Sequence, residues 1–353
     1  MERVKATLTA SGRLPSPFRT EGFLMKRRAV VGFVAGALCA AHGTSTAQQH
    51  GKIWHIGLLA SASRQFYLDS GRYQALQASL RNLGYVEGKN LVIEARYADG
   101  QYDMLPAYAT ELVRLKVDLI VAVSSPAIRA AKQATTTIPI VFPSTGDPVG
   151  SGFVDSLAHP GGNLTGMSNS NLDVSAKTLE LVKAILPGIS RVAVLANPGS
   201  STESAMLKSI SVAAQQVGIQ VVTFEARNSE EIEAAFGAML REHVDALVIA
   251  ADAMMGMQQR QIADLALRYK LPSISQGAGY PRAGGLLGYG LNSLDTYVVA
   301  AAYIDKILKG ANPADLPVQQ PSRLELVINI KAAQALGVNV PRPLLLRADE
   351  LIQ

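Results

Sequence analysis

The chain has 353 residues, of which 48% are hydrophobic and 17% charged, enough apolar material for two lobes or domains. Its formal net charge is +5. Residues 1–47 hold seven of the 33 basic and two of the 28 acidic groups, which leaves 26 of each in the remainder. A neutral body without a basic run gives no sign of a nucleic-acid partner.

The N-terminal segment has the pattern of a secretory signal peptide. Residues 25–28 (MKRR) form a basic n-region, residues 29–41 are apolar, and Ser45-Thr46-Ala47 is a small-residue cleavage site. The apolar run is short for a membrane span, although an N-terminal anchor or a buried first helix remains an alternative. Because residues 1–24 do not resemble a signal, we predict that translation starts at Met25. We expect an exported protein, periplasmic in a Gram-negative source.

The single cysteine, Cys39, lies inside this apolar segment. Cleavage near residue 47 would leave no thiol for nucleophilic, disulfide or metal chemistry. Attachment of a lipid through Cys39 is an alternative that the preceding Leu38 disfavours. The histidines lack metal-ligand spacing, and no phosphate loop or nucleophile elbow is present. We therefore expect no cofactor, no metal and no catalysis.

Beyond the leader, short apolar strands alternate with helices. The predicted strands are residues 53–60, 91–97, 118–123, 138–142, 191–196, 220–225, 246–250 and 272–275. The predicted helices are residues 69–83, 104–115, 127–133, 176–186, 203–217, 230–241 and 258–269. Such alternation indicates an α/β fold built from doubly wound parallel sheets.

The two halves of this region resemble each other at an offset of about 130 residues. Three anchors match, namely Glu94-Ala95-Arg96 with Glu225-Ala226-Arg227, Val117-Asp118 with Val244-Asp245, and Ile138-Pro139 with Leu271-Pro272. The order and spacing of elements predict two similar lobes, since solenoid repeats have much shorter periods.

Small and polar residues follow the predicted strands. Ligands of open parallel sheets bind beyond the carboxyl ends of the strands, and pockets favour the junction between lobes. Free N–H groups at the helix starts near Ser125 and Ser200 suit a carboxylate, and Asp252 suits an ammonium group. For any one serine, an ordinary helix cap is the alternative. The predicted ligand-binding residues are Ser61, Ser63, Ser124, Ser125, Asp147, Asn197, Ser200, Ser201, Asp252, Gln276 and Tyr280, with Phe66 and Tyr67 as further wall candidates.

Residues 137–168, TIPIVFPSTGDPVGSGFVDSLAHPGGNLTGMS, resemble the hallmark stretch of the ABC transporter substrate-binding family that includes tryptophan/tyrosine-type solute receptors. LRNLGYVEGKNL, GGLLGYG and the terminal RADELI are also similar to that family. The resemblance implies a type I periplasmic-binding fold with three crossovers, near residues 163–173, 288–295 and 320–325. The N-terminal lobe would be residues 51–165 plus 290–320, and the C-terminal lobe residues 166–289 plus 321–353.

The same resemblance implies capture of a small solute, in some members an aromatic amino acid, for an ABC permease of the inner membrane. We expect a monomer. A ligand sensor for a membrane signalling protein is the alternative, since it would share this fold. A two-lobed racemase would need the cysteines that the mature chain lacks, and a sugar-responsive repressor would need a DNA-binding headpiece.

Overall fold

Two sheets organise the part of the chain that the computed structural model describes, which is residues 52–169, 171–200, 203–321 and 323–353. For residues 171–173 and 203–205 only the backbone is described. The predicted signal peptide, with Cys39, and the predicted site residue Ser201 lie outside these ranges. Residues 50–353 form one compact unit, so contacts between its two sheets belong to a single body.

The first sheet contains β1 (Trp54–Ala60), β2 (Leu91–Tyr97), β3 (Leu119–Val123), β4 (Ile140–Thr145) and β5 (Leu164–Ser168). Its connecting helices are α1 (Arg64–Asp69), α2 (Arg72–Asn82), α3 (Leu105–Arg114) and α4 (Ser125–Ala134). The strands run parallel in the order β2-β1-β3-β4-β5. The switch in strand order therefore lies between β1 and β3.

The second sheet contains β6 (Arg191–Ala196), β7 (Gln220–Glu225), β8 (Ala246–Ile249), β9 (Ser273–Ser275), β10 (Leu287–Gly290), β11 (Glu325–Asn329) and β12 (Glu350–Ile352). The helices of this part of the chain are α5 (Asn171–Ile185), α6 (Glu203–Val217), α7 (Ser229–Arg241), α8 (Ala253–Met257), α9 (Gln259–Arg268), α10 (Ser293–Leu308), α11 (Ile330–Leu336) and α12 (Arg342–Arg347). The order is β12-β11-β10-β9-β8-β6-β7, with the β10–β11 pair antiparallel.

The predicted similarity of the two lobes is confirmed by strand order, since β7-β6-β8-β9-β10 repeats the order of the first sheet. It extends to single side chains. The Asp118 carboxylate accepts a hydrogen bond from the His55 backbone N–H at 2.8 Å, and that of Asp245 accepts from the Ser190 and Arg191 N–H groups, each at 2.8 Å. Each aspartate thus ties the start of a central strand to its neighbour.

Both faces of the central strand β1 are buried. Ile56 and Leu58 share a core with Leu80 of α2, whereas Leu59, on the opposite face of β1, shares a core with Leu112 of α3. Successive strand residues point to opposite faces, so a strand covered on both sides is apolar at every position. No helix within the described ranges combines the length and the apolar character that a membrane span requires.

The chain passes between the sheets three times: after β5, after β10 and before β11. Helix α10 follows the second passage and returns to the first sheet, where Tyr297, Ala300 and Ile304 join the core of Ile56. The three-crossover arrangement expected from the sequence is therefore present. The exact residues at which one lobe ends and the other begins stay a prediction.

Two predicted helices differ from the structure. The helix expected over residues 69–83 begins only at Arg72, as α2, and the separate short helix α1 precedes it; Gly71 between them adopts a left-handed φ of 73° that ordinary side chains rarely tolerate. The helix expected over residues 258–269 is preceded by a separate short helix, α8, which the Asp252 carboxylate caps. Strands β5 and β10 to β12, and helices α10 to α12, had no counterpart among the predicted elements.

Candidate functional site

A cavity of about 270 Å³ lies between the lobes, beyond the carboxyl ends of β3 and β4 in the first sheet and of β8 and β9 in the second. Ligand sites of open parallel sheets form at this edge. Its volume suits a small organic molecule. The polar and aromatic residues that line it are Phe66, Tyr67, Arg72, Ser124, Ser125, Ser144, Thr145, Asn169, Ser200, Asp252, Gln259, Ser275, Gln276, Ser293, Thr296 and Tyr297.

Five of the predicted binding residues line this cavity: Ser124, Ser125, Ser200, Asp252 and Gln276. The two aromatic wall candidates, Phe66 and Tyr67, line it as well. They come from both lobes and from segments far apart in sequence. Polar residues that follow parallel strands converge on one edge of the sheet, and this rule correctly predicted where the cavity lies. Which of these residues contact a ligand stays a prediction.

The structure does not bring five other predicted residues to the cavity wall: Ser61, Ser63, Asp147, Asn197 and Tyr280. Ser61 is fully buried, and its hydroxyl forms a hydrogen bond with the hydroxyl of Ser124, which lines the cavity. Ser63 caps α1 by accepting from the Phe66 N–H at 3.1 Å. Ser63 therefore has the alternative role of a helix cap, whereas Ser61 has its hydrogen-bond partner inside the protein.

The remaining three also have local partners. Asp147 accepts from the Gly150 N–H at 2.8 Å within its own turn. Asn197 is 4% exposed, and its side-chain oxygen accepts a hydrogen bond from the Gly199 N–H at 2.9 Å. The expectation that Tyr280 walls the pocket is corrected, because its side chain is fully buried in the core of the second lobe, where its hydroxyl bonds Ser273 at 2.8 Å.

The floor of the cavity contains a strained turn. Ser124 has φ 90° and ψ 154°, a region that residues other than glycine rarely occupy. The following Ser125 is 7% exposed, and its hydroxyl shares a hydrogen bond of 3.0 Å with Thr145. The hydroxyl network below the cavity thus holds the end of β3 in a conformation that its own backbone disfavours.

Arg72, at the start of α2, was missed by the sequence reasoning. Within the described ranges it is the only cationic residue that lines the cavity. Its guanidinium lies over the Phe66 ring, 4.5 Å from the ring centre. In this geometry the face of the aromatic ring attracts the positive charge. The available signal was Gly71, because it precedes the first residue of α2 and so places Arg72 at a helix start.

Ser293, Thr296 and Tyr297 were missed because they lie on α10, whose place in the fold the sequence did not predict. Tyr297 is 2% exposed. Burial raises the pKa of its phenol to about 12, and the nearby positive charge of Arg72 lowers it in part. The phenol is therefore neutral at physiological pH and can donate a hydrogen bond.

Asp252 joins the two lobes. Its Oδ2 accepts from the Tyr102 hydroxyl at 2.9 Å, and Tyr102 lies after β2 in the first lobe. Its Oδ1 accepts from Asn197 Nδ2 at 3.1 Å and from the N–H groups of Met254 and Met255 at 2.9 and 3.3 Å. Burial, and then the negative charge of Asp252, raise the pKa of Tyr102 above its ordinary value.

A second contact between the lobes lies next to this one. The Ser63 N–H points at Met257 Sδ, 3.2 Å away, and a Cβ added at Gly256 would lie 3.4 Å from Phe66 Cζ. Helices α1 and α8 therefore touch at the rim of the cavity. Within the described part of the chain, no group of three or more His, Cys, Asp or Glu side chains is placed to hold a metal ion.

Comparison with known proteins agrees with this architecture. A tyrosine-binding protein of Clostridioides difficile is 29% identical over 271 residues, which cover 77% of each chain. A conserved domain protein of Vibrio cholerae has a solved structure with 30% identity and a TM-score of 0.79, covering 85% of this chain and 100% of that one. An ABC domain from Streptococcus pneumoniae, solved in complex with L-Trp, has 28% identity and a TM-score of 0.78, covering 85% and 99%.

The family model described as ABC transporter substrate binding protein matches residues 69–352, which include both sheets apart from β1. The resemblance stated from sequence motifs and the expected fold class are therefore both confirmed. This family consists of solute-binding proteins, which is a non-enzymatic class. The chain belongs to the ABC transporter substrate binding protein family.

Proposed function

We propose that this protein is the substrate-binding component of an ABC importer and captures a small solute in the cavity between its lobes. The observation that carries the proposal is a cavity formed jointly by two lobes at the carboxyl ends of their strands. A site divided between two lobes couples ligand binding to the position of one lobe against the other. A permease can therefore distinguish the loaded protein from the empty one.

The solute class is supported by the relatives and by the cavity wall. The Clostridioides difficile relative is named for binding tyrosine, and the Streptococcus pneumoniae domain was solved with L-Trp. Here Phe66, Tyr67 and Tyr297 supply aromatic surface, and Ser124 and Gln276 supply polar groups. We propose a small organic solute with an aromatic or other apolar body, of which aromatic amino acids are the first candidates.

Lobe closure is the proposed mechanism. The solute binds one lobe of an open form, and rotation about the three connecting segments then brings Asp252 and α8 onto Tyr102 and α1. A ligand shifts this equilibrium only by its difference in affinity for the two forms. The apolar residues at the cavity supply that difference, because they leave water only when both lobes cover the ligand.

The remaining parts of the proposal follow from this role. We propose that the signal peptide exports the chain to the periplasm, that the mature protein acts as a monomer, and that its protein partner is an ABC permease of the inner membrane. Neither a cofactor nor a nucleic acid has a part in it.

The test is a thermal-shift screen of residues 48–353, unfolded and refolded to remove ligand, against amino acids, sugars, purines and small carboxylates. A ligand that binds only the native state raises the melting temperature by mass action. A shift with aromatic amino acids or their analogues supports the proposal. A shift confined to sugars or purines would contradict the solute class, and no shift with any compound would contradict solute capture.

A further inference from the structure

The cavity has one positive side chain with hydrogen-bond donors to spare. Among the described residues, Arg72 forms no ion pair and donates no hydrogen bond, and its guanidinium lies over the face of Phe66. A guanidinium carries five N–H donors in a planar fork that matches a carboxylate. Arg72 therefore has unused donors at the surface that a bound solute would touch.

A second donor lies close to it. The Tyr297 hydroxyl is buried and has no hydrogen-bond partner among the described residues. The Tyr67 ring lies beside it, with ring centres 6.5 Å apart, but the Tyr67 hydroxyl does not form a hydrogen bond with it. Buried polar groups nearly always have partners, because an unpaired one has lost its hydrogen bonds to water. A ligand oxygen would supply the missing partner, and Tyr297 lines the same cavity as Arg72.

The one carboxylate at the cavity wall within the described ranges is already in use. Asp252 accepts four hydrogen bonds, from Tyr102, Asn197 and the N–H groups of Met254 and Met255. These bonds cap α8 and join the lobes. The role expected for Asp252 from the sequence, as the partner of a ligand ammonium group, would compete with contacts that the fold itself needs.

We propose that Arg72 and Tyr297 bind the carboxylate of the solute and that no α-ammonium group is required, so that the ligand class of this cavity is an aromatic or otherwise apolar monocarboxylate. The inference rests on the proposed function, since it assigns the ligand class of the same cavity. The carboxylate lies against the two donors, and the apolar body lies along Phe66 and Tyr67. An amino acid is then one acceptable monocarboxylate among several.

The test compares matched compounds that differ by one charged group. Phenylalanine, 3-phenylpropanoate and 2-phenylethylamine form one set, and tyrosine, 3-(4-hydroxyphenyl)propanoate and tyramine form another. Isothermal titration of the ligand-stripped protein is expected to give amino acid and des-amino acid dissociation constants within about threefold of each other, with no binding of the amines. An amino acid that binds about tenfold or more tightly than its des-amino analogue would overturn the proposal.

Failure of all six compounds to bind would overturn the proposed solute class together with this inference, whereas preference for the amino acids would overturn the inference alone. Among variants, Arg72→Gln is expected to raise the dissociation constant of the carboxylates about tenfold or more, because it removes a hydrogen bond between charged groups. Arg64→Gln is the matched control, since Arg64 is exposed and does not line the cavity. Equal weakening by both variants would contradict the assignment.

Tyr297→Phe keeps the test decisive if Arg72→Gln fails to fold. It removes only a hydroxyl that has no partner among the described residues, so the ligand-free variant should melt no lower than the wild type. Its dissociation constants for the carboxylates are expected to rise about threefold to tenfold. Unchanged affinity in a folded Tyr297→Phe protein would show that this hydroxyl does not touch the ligand and would overturn its assignment.

Discussion

Replacing Tyr102 by phenylalanine tests whether the contact between the lobes stabilises the closed form. Tyr102 donates to the Asp252 carboxylate at 2.9 Å across the cleft and does not itself line the cavity. A hydrogen bond to a charged group contributes about 1.5–3 kcal/mol, and we take the lower end because Asp252 is only half-buried. A loss of about 1.5 kcal/mol from the closed form raises every apparent dissociation constant by slightly more than about tenfold.

The assay is isothermal titration calorimetry of the wild type and Tyr102→Phe with two ligands that have different dissociation constants. Because Tyr102 acts on lobe closure and not on the ligand, both dissociation constants should rise by the same factor and their ratio should stay constant. Tyr108→Phe, which removes a phenol oxygen from α3 of the same lobe, is the control and should bind as wild type. Affinity unchanged within about twofold, or an altered ligand ratio, would refute the reasoning.

Three predictions concern stability. Ser124→Gly should be more stable than Ser124→Ala by about 1–2 kcal/mol in urea unfolding, because both lose the hydroxyl but only glycine adopts a φ of 90° without strain; equal stability would contradict it. Tyr297→Phe should melt above wild type in calorimetry without ligand, by about 1 kcal/mol of unfolding free energy, since it removes an unpaired buried hydroxyl; a lower melting temperature would show an overlooked partner. Asp245→Asn should destabilise the protein at pH 7 by about 1 kcal/mol or less. Burial raises the pKa of Asp245, but the Ser190 and Arg191 N–H groups lower it by more. Its contribution is therefore present above the unfolded pKa of about 3.9 and is lost as pH falls through the lower folded value, so the two proteins should converge in urea unfolding below about pH 4.

Much of the fold could be predicted because its signals are local. Strands β6 and β7 and helix α6 begin and end at the predicted residues, since apolar runs bounded by turn residues are visible in sequence. The matched Asp118 and Asp245 also have the same role in both lobes. Helix α10 was missed because it is apolar over much of its surface and its partner sheet lies far back in the chain.

The sequence predicted the position of the site but not the hydrogen-bond partners of its residues. The positions of the strand ends predicted where the cavity lies. The sequence could not show that Asp252 accepts a hydrogen bond from Tyr102, 150 residues earlier, so the Asp252 carboxylate was expected to be available to a ligand. Arg72 was taken as part of one continuous helix, and its position at the cavity depends on the break at Gly71. Tyr280 lies after a strand end, like the true lining residues, but the following turn directs it into the core.

The most direct test of the central claim is calorimetric titration of the ligand-stripped protein beside Ala253→Trp, which places an indole in the cavity from the first turn of α8. The account predicts one aromatic carboxylate or amino acid bound per wild-type chain, and no binding to an Ala253→Trp protein that melts as the wild type does. Binding that survives in Ala253→Trp, or its absence in the wild type across this ligand class, would contradict the claim that the interlobe cavity captures the solute.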